Sequence, residues 1–149
     1  MDEELRRILS ADIQKRSGRN VVLDFNEWGT FQSKVNSGDY QMGYMSWGID
    51  YNDPYSMLAV MYSSSGNINT GWVNEKYDEL LDQAAVEMDD AKRLELYKQA
   101  ETILFEEGPL CPVVNEAANT FRYNYIKNSN TMPFTSTGLK YAYVSGRNA

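Results

Sequence analysis

Apolar residues at Tyr77, Leu80, Leu81, Ala84, Ala85 and Met88 recur at i, i+3, i+4, i+7, i+8 and i+11, a spacing that gathers them onto one face of an α-helix. Asn74 stands ahead of them where an N-cap belongs. Asp89 opens a second helix, with Leu94, Tyr97, Ala100, Ile103 and Leu104 facing inward until Gly108-Pro109 ends it. Only a tight turn fits between the two, so they are expected to fold back on each other as an αα-hairpin. A chain of 149 residues is about one ordinary domain, and the rest of it has to be arranged around that pair.

Upstream, helices alternate with short apolar runs. Leu5, Ile8, Leu9 and Ile13 mark a first helix that Gly18 stops, and residues 20–26 read as a strand rich in β-branched and aromatic side chains. A second helix is expected over residues 27–36, burying Trp28, Phe31 and Val35, with a break at Ser37-Gly38-Asp39. Residues 40–47 are apolar on both alternating sets, as in a strand covered on both faces. Residues 55–62 suit a short helix, and residues 63–67 a turn. Strands are also expected at 110–115, 120–125 and 140–144, with a polar loop over 128–138. The alternation argues for the α/β class.

Charge and missing residue types narrow the chemistry. Against 14 Lys+Arg stand 21 Asp+Glu, a net charge of −7 that repels a phosphate backbone and argues against nucleic acid as a partner. With no histidine, Ser-His triads and histidine metal sites are unavailable. Cys111 has no partner cysteine in the chain and, on an apolar run, reads as an inert core thiol. No apolar run approaches the roughly 20 residues that cross a bilayer. Met1-Asp2-Glu3-Glu4 lacks the pattern of an export leader, so the leader of an exported protein is expected to be missing from this chain.

The segment Trp47-Gly48-Ile49-Asp50-Tyr51-Asn52-Asp53-Pro54 follows an expected buried strand, where α/β folds collect ligands. Asp50 between Trp47 and Tyr51 suits a cation, since the acid supplies charge while the rings exclude water. Asp, Asn and Pro also dominate ordinary turns, and residue pattern alone leaves both readings open. Asp50 with Asp53 admits a carboxylate-dependent hydrolase, although acids three apart in a turn rarely oppose each other across a sugar. Ca²⁺ coordination by Asp50, Asn52 and Asp53 lacks the alternation and distal Glu of a calcium loop. By pattern alone, Trp28 reads as core.

Three segments in order, Asn26-Glu27-Trp28-Gly29-Thr30-Phe31, Ser37-Gly38-Asp39-Tyr40 and Trp47 through Pro54, resemble the extracytoplasmic oligopeptide- and dipeptide-binding proteins of bacterial ABC importers, family 5 of the solute-binding proteins. The resemblance continues through Asn67-Ile68-Asn69-Thr70-Gly71-Trp72, Tyr77-Asp78-Glu79-Leu80-Leu81, Arg93 to Glu101 and Pro109-Leu110-Cys111-Pro112-Val113. Members are two-lobed and much longer. Residues 1–149 are thus expected to be the C-terminal, second lobe of a periplasmic-binding-protein type II fold: a small mixed sheet flanked by helices, with the αα-hairpin and a tail returning toward the first lobe.

The resemblance implies a binding protein rather than an enzyme, with no cofactor or metal. Its partners would be an oligopeptide ligand and an ABC permease. It would lie in the periplasm or at the cell surface, meeting the membrane only through a lipid anchor that this chain lacks. By the same resemblance Asp50 receives the peptide α-ammonium, Trp47 lies beside it, with Tyr51 adjoining, and Trp28 lines side-chain pockets. Asn67 and Asn69 match a polar segment near the cleft. Where some members hold the ligand carboxylate with arginines between the two tryptophans, the basic residue here is Lys34. Other branches of the family imply the alternative ligands: an oligosaccharide, nickel or haem.

Overall fold

The structure is a computed structural model that describes residues 3–66, 68–115, 121–129 and 139–147. It divides into two compact units, Met1–Lys34 and Val35–Ala149, with the division inside a helix.

In the first unit α1 spans Glu3–Ser17, with Glu3 and Glu4 in its first turn and Lys15 and Arg16 in its last, each sign matched to the helix dipole. Gly18 ends it as expected, at φ 67° with its N–H donating to Gln14 O at 2.9 Å. The α1 stripe buries no residue. Residues 20–26 do not form the expected strand, because apolar, β-branched residues make a strand only where a neighbour supplies the hydrogen-bond ladder. Their fixed points are side-chain contacts instead: Arg6 lies 5.6 Å over the Phe25 ring and Lys34 pairs with Asp24 at 2.5 Å. Helix α2 covers Trp28–Ser37, and Glu27 caps it by accepting from the Thr30 N–H at 3.1 Å. Trp28 is 61% exposed and stacks on Phe31 at 5.8 Å, so it is not the core residue its stripe suggested; Val35 alone of that stripe is buried.

The second unit is organised by the hairpin of α4 (Glu75–Val86) and α5 (Asp90–Glu107). Both expected caps are present. Asn74 Oδ1 accepts from Tyr77 N at 2.9 Å, and Asp89 Oδ1 accepts from Ala91 N at 3.0 Å and Lys92 N at 3.1 Å. Gly108 closes α5 in the left-handed region at φ 64°. Tyr77, Leu80, Leu81, Ala84, Tyr97, Ala100 and Leu104 join Met61 in one apolar cluster, flanked by Tyr55, Leu58, Trp72 and Leu110. Met61 comes from a short helical stretch, α3 (Tyr55–Leu58) continued by a 3-10 turn over Ala59–Met61. Tyr77, with no exposure at all, still satisfies its hydroxyl by donating to Leu58 O at 2.6 Å. Burial raises its phenol above the ordinary tyrosine value.

The expected strands at 40–47 and 110–115 are absent, and 121–125 carries none within its described part. Cys111, expected in the core, is exposed, because its segment found no ladder to turn it inward. The sheet among the described residues is antiparallel: β1 (Ile126–Lys127) pairs with β2 (Tyr143–Val144), which lies inside the strand expected at 140–144. The loop expected at 128–138 falls mostly outside the described residues. No helix among the described residues is long and apolar enough to cross a membrane.

The hairpin separates two leucines that the pattern had turned inward together. Leu81 is fully buried, whereas Leu94 is half exposed. Leu81→Ala is expected to cost about 2–5 kcal/mol of unfolding free energy, and Leu94→Ala within about 0.5 kcal/mol of zero, read from urea denaturation of each variant.

Candidate ligand-binding site

Residues 47–53 form an irregular loop that leads into α3. Asp53 organises its end. Its Oδ1 accepts from the Tyr55 N–H at 2.9 Å and from the Tyr97 hydroxyl of α5 at 2.9 Å, and its Oδ2 lies 3.4 Å from Arg93 Nη1. The backbone closes the same turn, with Asp53 N donating to Tyr51 O at 2.9 Å and Ser56 N to Asp53 O at 3.0 Å. The buried Ser56 accepts the Asp50 N–H on its hydroxyl at 2.9 Å.

Among the described residues, that backbone bond is what anchors Asp50. Its side chain is exposed, and no donor among the described residues meets its carboxylate. Trp47 and Tyr51 on either side along the chain keep 37% and 49% of their surface open. Burial, and then the charges of Asp53, Tyr55 and Asp50, raise the Tyr51 phenol, so it stays a neutral donor. The loop therefore offers one bare carboxylate, flanked along the chain by Trp47 and Tyr51, and a second carboxylate whose oxygens are already taken. A pair of acids free to act as general acid and base is not what this arrangement provides. Groups of three or more acidic or cysteine side chains able to hold a metal ion are absent among the described residues.

The other sequence candidates stand elsewhere. Trp28, in the first unit, is an exposed ring at the start of α2. Lys34 is engaged with Asp24. Asn69 ties its own segment down: Nδ2 donates to Asn36 O at 3.2 Å, Oδ1 accepts from Gly71 N at 3.3 Å, and its carbonyl accepts from the Tyr40 hydroxyl at 2.7 Å. Asn67 lies outside the described residues. A hollow of about 310 Å³ runs between Asn36, Tyr62, Ser63, Asn69 and Trp72. Sequence reasoning missed Tyr97 and Arg93 as partners of the loop. Tyr97 carried a signal, since a tyrosine on a buried stripe must find a partner for its hydroxyl. Arg93 carried none.

No protein-family model matches the chain. It is 42% identical over 101 residues to the oligopeptide-binding protein OppA of Bacillus subtilis (strain 168), a match covering 67% of this chain and 18% of OppA. YgiS of Escherichia coli (strain K12), a probable deoxycholate-binding periplasmic protein, is 36% identical over 113 residues, 76% of this chain and 21% of YgiS. Among solved structures, the periplasmic murein tripeptide binding protein MppA in its unliganded open form superposes with a TM-score of 0.66 at 34% identity, covering 73% of this chain and 22% of that one. The fold is thus of the periplasmic-binding-protein class, a helix-rich α/β lobe with a small sheet. The chain belongs to the oligopeptide- and dipeptide-binding proteins, family 5 of the solute-binding proteins. It spans about a fifth of the length of these curated relatives.

The two acids of the loop are expected to respond oppositely to neutralisation. Asp50→Asn should leave thermal stability unchanged within about 0.5 kcal/mol, whereas Asp53→Ala should cost about 1.5–3 kcal/mol by abandoning charge-assisted hydrogen bonds. Differential scanning calorimetry reads both.

Burial, then the hydrogen bond to Asp53 and its charge, push the Tyr97 phenol up from 10.0 to about 12, with Arg93 pulling the other way. Below pH 10 both folded and unfolded phenols are protonated and the full contribution is present. As pH rises from there toward 12, the unfolded chain ionises first and stability is lost. The melting temperature followed by circular dichroism should fall across that window, and Tyr97→Phe should flatten the fall.

Proposed function

We propose that this chain is the C-terminal lobe of a two-lobed, extracytoplasmic protein that captures oligopeptides for an ABC importer, and that Asp50 receives the peptide's α-ammonium. Peptides differ in side chain but share an amino end, a backbone and a carboxyl end. A carrier that accepts many of them has reason to hold the constant groups. What carries the reading is the bare Asp50 carboxylate, with exposed Trp47 and Tyr51 close by in sequence, in a loop whose other acid is occupied. The family resemblance assigns Trp28 to side-chain pockets and Asn67 and Asn69 to a polar segment for the ligand, and those roles rest on that resemblance alone. The relatives' printed roles, oligopeptide binding for OppA and murein tripeptide binding for MppA, support this ligand class. Their periplasmic members support the location. A lipid anchor and the permease belong to the whole protein, whose role is binding, not catalysis.

At ~3 Å and an effective dielectric of about 20, an ammonium–carboxylate pair gains about 5 kcal/mol gross. Desolvation offsets much of that. Closure of two lobes changes the balance, because Asp50 stays hydrated while the protein is open and loses water only over a bound ligand. A single lobe cannot clamp, so alone it should hold peptides at about millimolar affinity, near −4 kcal/mol.

A non-peptide solute is the second reading, favoured by the match to a protein named for deoxycholate. Its carboxylate would meet repulsion at Asp50, whereas a peptide amine would be attracted. Isothermal calorimetry on the whole two-lobed protein separates them. Tri-alanine is expected to bind and its N-acetyl form and deoxycholate to bind far more weakly. Asp50→Ala should cost tri-alanine about 2–5 kcal/mol. No measurable tri-alanine binding, or an affinity indifferent to Asp50, overturns the peptide reading.

A further inference from the structure

A loop that must present one carboxylate has two problems to solve. It has to stay in place without a sheet, and it has to keep a second acid three residues away from competing for the same cation. The bonds within residues 50–56 close a compact turn, but they fasten it only to itself: Asp50 N to Ser56 Oγ, Asp53 N to Tyr51 O, Ser56 N to Asp53 O and Tyr55 N to Asp53 Oδ1. Beyond the backbone bonds that run on into α3, the side-chain bonds that tie the turn to another element among the described residues both join Asp53 to α5. The Tyr97 hydroxyl, on a side chain only 5% exposed, donates to Oδ1 at 2.9 Å. Arg93, one turn earlier on the same face, sets Nη1 3.4 Å from Oδ2 while its Nη2 donates to Asp90 at 3.1 Å.

We propose that Tyr97 and Arg93 are positioning residues for the ammonium-binding loop: they hold Asp53 against α5, so that Asp50 rather than Asp53 is left open to the ligand. This rests on the reading of Asp50 given above. Tyr97 sets the register of the loop, since its ring is locked in the hairpin core and its hydroxyl can reach only one place. Arg93 sets the charge, compensating Asp53 so that a ligand ammonium gains most by meeting Asp50. Neither residue touches the ligand, and both act through Asp53.

The test is a set of double-mutant cycles on the whole two-lobed protein, with tri-alanine and N-acetyl-tri-alanine as probes and calorimetry as the readout. Tyr97→Phe keeps the ring in the core and removes one hydroxyl. It should weaken tri-alanine about three- to tenfold when Asp50 is present, and change nothing in the Asp50→Ala background or for the acetylated probe. In the Arg93→Gln background, Asp50→Ala should cost a smaller factor than in the unaltered protein, because the released Asp53 takes over part of the ammonium. A merely structural role would move both backgrounds and both probes alike. Equal factors across the Tyr97 cycle overturn the register role, and equal factors across the Arg93 cycle overturn the charge role. If Asp50→Ala alone leaves tri-alanine binding unchanged, the functional reading itself fails, a result distinct from either.

Discussion

Asp53 is the joint on which the site depends. Three donors from three directions, its neighbour's backbone, a core tyrosine and an arginine on the same helix, converge on one side chain of which a fifth is exposed. The convergence couples the α4–α5 hairpin, which carries the apolar cluster, to the irregular loop after residue 47. It also removes one of two neighbouring acids from solution chemistry.

The same device recurs around the loop segments. Tyrosine is abundant, at 11 of 149 residues, and four of the buried or half-buried ones serve as cross-links rather than as bulk alone. Tyr77 reaches the end of α3 through Leu58 O, Tyr97 reaches Asp53, Tyr40 reaches the Asn69 carbonyl, and Tyr62 reaches both oxygens of Asp82. The Tyr77, Tyr97 and Tyr62 rings pack in or against the apolar cluster while their hydroxyls tie it to another segment. A lobe with little sheet needs such ties, because its connecting segments lack a ladder to hold them. Glu107 works alike at the far end of α5, accepting from Trp72 Nε1 and from Asn74 Nδ2 at 2.6 Å each. It thereby fixes the residue that caps α4.

Local signals carried the helices well. Asn74, Asp89, Gly18 and Gly108 do in the structure what their types and positions announce, because caps and stops act over one turn of chain. Strands fared worse. Val21 to Phe25, residues 40–47 and the stretch around Cys111 have the composition of strands, yet a strand exists only as half of a pair, and composition says nothing about the other half. Trp28 shows the same limit on a helix: the period places it on a stripe, and whether the stripe is covered depends on distant residues. Of the candidate site, Asp50 with its flanking rings was visible as an acid in an aromatic turn. Arg93 was not, since its partner lies forty residues away.

The amino-acid sequence by itself determined the hairpin, its caps, the acidic surface and a turn bearing two aspartates beside tryptophan and tyrosine, because each follows from residues within a few positions of one another. Tertiary structure alone decided which aspartate is bare. At the level of sequence Asp50 and Asp53 are near equals, and the difference between them comes from Tyr97 and Arg93, brought within hydrogen-bond reach by the packing of α5 rather than by proximity along the chain.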